Sequence, residues 1–205
     1  MQNNLNHNYF FEDKKSAVEE LIETLPIELF SSENTIVISV SKEGVYFAQT
    51  IARRLNVEFD ILLTSSILAP NNNEISIAMI SETEEVVMDK ALVDSFEINE
   101  DYVYSEAYRQ YEEEILTNIY QYRKGKEILS LIGKYVLLVD ECVETGLTMM
   151  VALKSVIARG AKNIYIATPL LDKTVYQNLL SVCDGVFCPH KIQDYISIEY
   201  YYKNF

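Results

Sequence analysis

Two adjacent carboxylates, Asp140 and Glu141, follow a short apolar segment and precede a loop that contains glycine and hydroxyl side chains. The full run is Tyr135-Val136-Leu137-Leu138-Val139-Asp140-Glu141-Cys142-Val143-Glu144-Thr145-Gly146-Leu147-Thr148. Adjacent carboxylates at the end of a strand can accept hydrogen bonds from neighbouring sugar hydroxyls, at about 1.5–3 kcal/mol for each charged acceptor. Carboxylates also hold Mg2+, directly or through its waters. Asp140 and Glu141 are therefore predicted to bind a ribose and a metal ion.

The loop after these carboxylates has the composition of a phosphate site. Its last four residues, Thr145, Gly146, Leu147 and Thr148, supply hydroxyls and backbone N–H groups where a helix is predicted to begin. The first N–H groups of a helix are unpaired and face an anion favourably. The segment is not a nucleoside-triphosphate P-loop, because no Gly-Lys-Thr or Gly-Lys-Ser follows a glycine frame. A phosphate about one sugar away from the carboxylates is the prediction, and an ordinary solvated acidic loop is the alternative.

Apolar periodicity predicts the elements that must position these residues. Strands are predicted at residues 35–40, 58–63, 135–139, 163–168 and 185–188, and helices at residues 13–25, 44–55, 148–159 and 174–182, with Asp13 and Asn56 as expected helix caps. Strands that alternate with helices form a mostly parallel twisted sheet with helices on both faces, so the fold class is α/β. Ligands of such sheets bind outside the carboxyl ends of the strands, and Gly44 marks a second strand-to-helix turn suited to phosphate there.

Residues 64–134 do not continue this alternation of strands and helices. They are predicted to be an insertion within a single domain that spans residues 1–205. Residues 75–80 and 85–88 are predicted to form a hairpin, and residues 102–123 a long helix. That helix carries apolar or aromatic residues every three or four positions, predicted to face the core: Tyr104, Tyr108, Tyr111, Ile115, Ile119 and Tyr122. No linker separates two domains.

Composition excludes several classes of protein. The chain has 205 residues and a net charge of -14, which argues against a basic face for nucleic acid. Its three cysteines, Cys142, Cys183 and Cys188, are odd in number and form no Cys-x-x-Cys pair, as expected in a reducing compartment. No uninterrupted apolar run of about 18 residues occurs. A cytoplasmic protein with no membrane or nucleic-acid partner is therefore expected.

The run from Tyr135 to Thr148 resembles the phosphoribosyl-pyrophosphate (PRPP) signature of type I phosphoribosyltransferases. That signature is a short apolar strand, two acids, two loose positions and a Thr-Gly-x-Thr loop. The resemblance is strongest over residues 135–169 and extends loosely over nearly the whole chain. It implies transfer of ribose 5-phosphate from PRPP to a nitrogenous acceptor, usually a nucleobase, with Mg2+ and release of pyrophosphate. It also implies a small hood made by the chain ends, near residues 185–205, and a homodimer, which is a common assembly.

The resemblance implies a role for each site residue. Asp140 and Glu141 would hold the ribose hydroxyls and Mg2+; Thr145, Gly146, Leu147 and Thr148 the 5'-phosphate; Lys42 and Gly44 the pyrophosphate; Tyr195 and Ile196 the acceptor; and Glu144 would take part in proton transfer near the acceptor. Two alternatives stay open: Glu144 as a solvated loop carboxylate, and Tyr195 as a packing residue of the C-terminus.

Two departures from the family pattern keep other functions open. Glu43 stands where the family usually has the middle glycine of its pyrophosphate loop, and a carboxylate there repels pyrophosphate. Ser65-Ser66 stand where a bacterial branch of predicted phosphoribosyltransferases commonly has Arg-Lys. The alternatives are a catalytically weak regulatory protein that binds PRPP or a nucleotide, and a hydrolase of phosphorylated ribosides. No lysine directly follows residues 163–168, so purine specificity is not implied.

Overall fold

A computed structural model describes residues 9–32 and 34–205 of the protein. In chain order the helices and strands are α1 Lys14–Glu23, α2 Ile27–Phe30, β1 Thr35–Ser39, α3 Val45–Leu55, β2 Glu58–Ile61, β3 Thr64–Ala69, β4 Asn72–Ser81, β5 Val86–Met88, α4 Lys90–Ser95, α5 Glu100–Gln110, a π turn Tyr111–Ile115, α6 Leu116–Arg123, β6 Tyr135–Val139, α7 Leu147–Ala158, β7 Asn163–Ala167, β8 Leu170–Asp172, α8 Lys173–Leu180, β9 Gly185–Phe187, β10 His190–Ile192 and a 3-10 turn Ile198–Tyr200. Among these described residues, no helix combines the length and apolarity needed to cross a bilayer.

The central sheet has five strands in the order β2-β1-β6-β7-β9, and all of its pairings are parallel. Every residue of β1 is buried, as are the last four residues of β6, because helices cover both faces of a parallel sheet. The predicted α/β class and the strands that build this sheet are confirmed. β1 and β6 lie side by side, so the loops that follow them leave the same edge of the sheet.

The two faces of the sheet are covered by different helices. Val37 and Leu137 point to one face, where they pack in a cluster with Leu21 of α1 and Phe47 of α3. Their neighbours Ile38 and Leu138 point to the other face; that second cluster contains Met149 and Leu153 of α7 and Leu179 of α8. This alternation is the period of a strand, and it makes the sheet the centre of two apolar layers.

The chain features that start and stop these helices are those expected from local chemistry. Asp13 caps α1, since its carboxylate accepts a hydrogen bond from the Ser16 N–H at 2.8 Å. Asn56 ends α3 with a left-handed φ of 57°, which asparagine tolerates better than most residues. Both caps are confirmed.

The insertion folds as a three-stranded antiparallel sheet, β3-β4-β5, covered by α5 and the π turn. The predicted hairpin is β4–β5. Strand β3 was not predicted from the sequence. Its buried positions alternate with half-buried ones, as in any strand with one face in the core, but one of the buried residues is polar, which hides the pattern. That residue is Ser65, whose hydroxyl donates to Glu114 at 2.5 Å and is thereby satisfied inside the sheet.

The long helix of the insertion is interrupted by the π turn, and its predicted core stripe is partly wrong. Tyr104 and Tyr108 are 54% and 69% exposed, whereas Val103, Ala107 and Ile115 are buried. Buried residues therefore recur at steps of four, and each such step overshoots one turn of an α-helix by about 40°. The wider π turn offsets this drift and returns Ile115 to the buried face.

A buried ion cluster ties the insertion to the central sheet. Arg123, the last residue of α6, pairs with Glu82 and lies 3.7 Å from a carboxylate oxygen of Asp60 in β2. Glu82 also accepts the Leu63 N–H at 2.8 Å, and Asp60 accepts the Leu129 N–H at 2.9 Å. Burial raises the pKa of Glu82, while the Leu63 N–H and Arg123 oppose that shift.

The two ends of the described chain pair with each other. Phe11 forms a parallel bridge with Tyr202, and the Phe10 and Phe11 N–H groups both donate to the Tyr201 carbonyl at 3.0 Å. The Lys203 N–H donates back to the Phe11 carbonyl at 2.9 Å. This pairing brings the last residues of the chain next to the beginning of α1, beside the carboxyl edge of the sheet.

Candidate functional site

The loops after β1 and β6 meet at the carboxyl edge of the sheet and are locked together by Asp140. Its Oδ1 atom accepts the Ser41 hydroxyl at 2.5 Å and the Glu141 N–H at 2.8 Å. The Ser41 hydroxyl oxygen in turn accepts the Gly44 N–H at 2.9 Å. A Cβ atom on Gly44 would lie only 3.0 Å from the Asp140 Cα atom, so glycine permits this close approach of the two loops.

The second carboxylate, Glu141, is held by a lysine from the other end of the chain. The Lys14 Nζ atom lies 2.9 Å from Glu141 Oε1, and the Glu141 side chain is only 4% exposed. The same ammonium sits over the Phe205 ring, 4.7 Å from its centroid. Lys14 begins α1, so the paired chain ends deliver both a cation and an aromatic ring to the site.

Both carboxylates titrate above their ordinary range. Burial raises the pKa of Asp140 to about 7, against the Ser41 hydroxyl and Glu141 N–H, which stabilise the charged form. Neighbouring Glu43 and Glu141 add to the rise. Burial also raises the pKa of Glu141, and Lys14 opposes that rise. Keeping both carboxylates charged in the absence of a ligand therefore costs free energy.

We expect the burial of the Asp140 carboxyl to make the stability of the protein depend on pH in metal-free buffer. The pKa of Asp140 is higher in the folded state than its ordinary value of 3.8, so its contribution to stability is fully present below pH 4 and lost as pH rises through about 7. Asp140→Asn removes this titration. The variant should therefore melt at a higher temperature than the parent protein at pH 8, with the difference shrinking towards pH 4.

Thermal unfolding followed by circular dichroism between pH 4 and pH 8 measures this difference. The control is Glu74→Gln, an exposed carboxyl on β4. A constant difference between parent and Asp140→Asn across this range would contradict the raised pKa.

A cavity of about 320 Å³ opens above the two loops. Its lining residues are Ser41, Glu43, Asp140, Glu141, Cys142, Glu144, Thr148, Tyr195, Ile198 and Phe205. The cavity combines carboxylates with aromatic rings, and the Cys142 thiol in its wall donates to the Tyr195 hydroxyl at 3.2 Å. Burial raises the pKa of Cys142 to about 12, so this thiol is not a thiolate nucleophile at neutral pH.

A smaller polar cavity of about 200 Å³ lies at the beginning of α7. It is lined by Asp140, Cys142, Val143, Glu144, Thr145, Gly146, Thr148 and Met149. Gly146 is the N-cap of α7, with a left-handed φ of 81°. The position at a helix N-terminus and the hydroxyl lining suit a terminal phosphate.

Gly146 is also fixed by its neighbour in α8, and we expect its replacement to be costly. A Cβ atom there would lie 2.7 Å from Val175 Cγ1, in addition to the strain of a left-handed φ. Gly125 has the same φ of 81° but nothing within 4 Å of such an atom. Gly125→Ala should therefore lower the free energy of unfolding by about 1–2 kcal/mol because of its φ alone. Gly146→Ala should lower it by about 1–3 kcal/mol more because of crowding.

Urea unfolding of both alanine variants tests this comparison. Equal losses of free energy in the two variants would show that Val175 moves aside freely and that only backbone strain acts at Gly146.

The structure brings most of the predicted site residues together. Those that line one or both cavities are Asp140, Glu141, Glu144, Thr145, Gly146, Thr148 and Tyr195. Gly44 lies buried beneath them, and Leu147 begins α7 with its N–H 3.4 Å from the Thr145 hydroxyl oxygen.

Two predicted site residues point elsewhere. The Lys42 ammonium lies 3.9 Å from Glu114 of the π turn and is not part of either cavity wall. The Ile196 side chain is 63% exposed, and its N–H donates to the Tyr201 hydroxyl at 3.3 Å. Of the backbone groups predicted to serve the acceptor at Ile196, the N–H is therefore already engaged.

Sequence reasoning missed several residues of the site, among them Ser41, Lys14, Phe205 and Ile198. Ser41 directly precedes Lys42 in a strand-to-helix turn, and its position in that turn was the available signal. Lys14 precedes both loops in the chain and Phe205 follows both, and nothing local marks either residue. Only the pairing of the chain ends places them in the site.

The donor atoms fit Mg2+ in one particular binding mode. Within the described ranges 9–32 and 34–205, no group of three or more His, Cys, Asp or Glu side chains is arranged to hold a metal ion by itself. Mg2+ commonly binds through one or two carboxylates, substrate phosphates and water. Asp140 and Glu141 supply the carboxylates for this mode, so the fit depends on a phosphorylated ligand.

The central parallel sheet and the helices that cover it are shared with a known class of proteins. Residues 6–203 match the family described as phosphoribosyl transferase domain, and the chain belongs to this family. The crystal structure of TT1426 from Thermus thermophilus is similar, with a TM-score of 0.72, 27% identity, and coverage of 94% of this chain and 89% of that one.

Two curated proteins of Mycobacterium tuberculosis, from strains CDC 1551 and H37Rv, carry phosphoribosyl transferase as a provisional name. Each is 23% identical to this chain over 205 residues, a match that covers 95% of this chain. The chain spans 43% of the length of these relatives.

Proposed function

We propose that the protein transfers the ribose 5-phosphate of PRPP to a nitrogenous acceptor, with a nucleobase as the expected acceptor class. The observation that carries the proposal is the adjacent pair Asp140 and Glu141 at the end of β6, next to a small polar cavity at the beginning of α7. This spacing suits a ribose whose hydroxyls face the carboxylates and whose 5'-phosphate faces Thr145 to Thr148.

In the proposed reaction, the bond from C1 of the ribose to the pyrophosphate oxygen breaks and a bond from C1 to the acceptor nitrogen forms. The electron pair of the broken bond leaves with pyrophosphate, and the acceptor nitrogen gives up a proton. Glu144 lines both cavities and is the carboxylate we assign to that proton. Bound Mg2+ would supply positive charge to the departing pyrophosphate.

Asp140 and Glu141 act mainly by positioning in this proposal. Ser41 and Lys14 hold the two carboxylates in place, so their orientation is set before a ligand arrives. A transition state with positive charge at C1 is favoured by these two carboxylates, because both line the cavity proposed to hold the ribose.

A second candidate function is supported by the pyrophosphate side of the site. Lys42 is paired with Glu114, Ser65 donates to the same carboxylate, and Glu43 adds negative charge to the loop after β1. These contacts favour a regulatory protein that binds PRPP or a nucleotide and turns it over slowly. Turnover separates the two candidates, because both require the ribose and phosphate contacts.

Calorimetric titration with PRPP and Mg2+ tests the proposal. Saturable binding followed by pyrophosphate release with a nucleobase supports the transferase. Saturable binding without release for any base supports the regulatory protein, and product formed without an added base indicates water as the nucleophile. Absence of PRPP binding overturns the proposal.

A further inference from the structure

Two carboxylates in the cavity wall have no partner among the described residues. Glu43 and Glu144 are both exposed at the rim of the cavity, and neither takes part in a hydrogen bond or ion pair there. Asp140 and Glu141, by contrast, are held by Ser41 and Lys14. A ligand in this cavity therefore meets two free anionic acceptors in addition to the proposed ribose site.

Most side-chain donors around the cavity already have a partner. Within the part of the chain that the structure describes, neither lysine nor arginine lines the cavity, and the nearby Lys14 and Lys42 are paired with Glu141 and Glu114. The Ser41 hydroxyl and the Cys142 thiol donate to Asp140 and Tyr195. Among the side chains of the wall, the hydroxyls of Thr148 and Tyr195 are then the donors that remain, and neither carries a positive charge.

The walls between these polar groups are apolar and suit a flat ring. Tyr195 packs against Tyr201 with ring centroids 5.4 Å apart, and Ile198 and Phe205 complete this side of the cavity. A planar heterocycle can stack on such rings regardless of its substituents. The substituents are then selected by the charge of the wall.

We infer that the acceptor is a planar nitrogen heterocycle with an amino substituent, and not an oxo-substituted or carboxylated ring. The inference rests on the proposed function and narrows its acceptor class. An amino group donates hydrogen bonds to Glu43 or Glu144, and charge-assisted bonds of this kind are among the strong ones. A carbonyl oxygen at the same place faces a carboxylate, and a carboxylated ring meets like charge.

Matched nucleoside 5'-monophosphates test this inference as products of the reaction. Adenosine and inosine monophosphates differ by amino against oxo on a purine, and cytidine and uridine monophosphates differ likewise on a pyrimidine. Calorimetric titration with Mg2+ should give at least about tenfold tighter binding for the amino member of a pair, the effect of one such hydrogen bond. Orotidine monophosphate, which carries a carboxylate, should bind more weakly than uridine monophosphate.

Charge-neutral variants identify the residues responsible. In Glu43→Gln/Glu144→Gln, the ratio of the affinity for the amino member to the affinity for the oxo member of a pair should fall towards one. The reason is that an amide side chain both donates and accepts hydrogen bonds. The control Glu28→Gln/Glu74→Gln removes the same charge from two exposed positions away from the cavity and should keep the parent ratio.

The outcomes separate this inference from the proposed function. If PRPP binds but the oxo members bind as tightly as the amino members or more tightly, the inference is overturned and the proposed function stands. An amino preference that survives Glu43→Gln/Glu144→Gln also overturns it. If PRPP does not bind, both the proposed function and this inference are overturned.

Discussion

PRPP binding is expected to disappear in the double variant Asp140→Asn/Glu141→Gln, while the fold persists. The variant replaces two charged acceptors of the ribose hydroxyls, each worth about 1.5–3 kcal/mol, and removes the carboxylates proposed for Mg2+. The combined loss corresponds to an affinity decrease of about two to four orders of magnitude. Calorimetric titration with PRPP and Mg2+ measures it directly.

The fold should survive this change for a reason visible in the site. An amide oxygen at position 140 still accepts the Ser41 hydroxyl and the following N–H, which join the loops after β1 and β6. The control Glu28→Gln/Glu74→Gln loses the same number of charges at exposed positions and should bind PRPP like the parent. A folded double variant with unchanged PRPP affinity would refute the assignment of Asp140 and Glu141.

The largest loss of stability is expected from Arg123→Met. This change leaves Glu82, whose side chain is 3% exposed, without its cation, and removing one partner of a buried ion pair typically costs about 3–5 kcal/mol. Arg109→Met is the matched control, because Arg109 pairs with Glu106 and Glu113 on an exposed helix surface. Such exposed pairs contribute about 0–1 kcal/mol. Urea unfolding gives both values.

A second variant distinguishes the buried charge from lost packing. Arg123→Met/Glu82→Gln removes the stranded carboxylate but keeps an oxygen that can accept the Leu63 N–H. It should recover part of the lost free energy of unfolding, and hydrogen exchange should show the loss concentrated in residues 64–123. If Arg123→Met and Arg109→Met destabilise equally, the Arg123 cluster does not anchor the insertion.

Features encoded in short stretches of chain were predictable from the sequence. The buried strands β1 and β6 show as nearly continuous apolar runs, and the caps Asp13 and Asn56 act within a few residues of their own positions. The residues from Asp140 to Thr148 are contiguous, so their strand, loop and helix context was readable in order. Backbone hydrogen bonding and burial impose these local patterns directly on the sequence.

Contacts between distant segments could not be predicted in the same way. The aromatic stripe of the long helix shows this, because the π turn changed which residues face the β3-β4-β5 sheet. Strand β3 shows it too, since a buried serine is compatible with a strand only when a partner such as Glu114 lies opposite. Periodicity describes one element at a time and contains no information about such a partner.

The sequence by itself determined the parallel sheet, the hairpin and the position of the carboxylate pair at a strand-to-helix turn. Only the tertiary structure decided that Lys14 pairs with Glu141, that Phe205 lines the cavity, and that Lys42 turns to Glu114. The physical reason is that the first set follows from local backbone geometry and burial. The second set depends on which charged side chains meet when separate loops and both chain ends pack at one edge of the sheet.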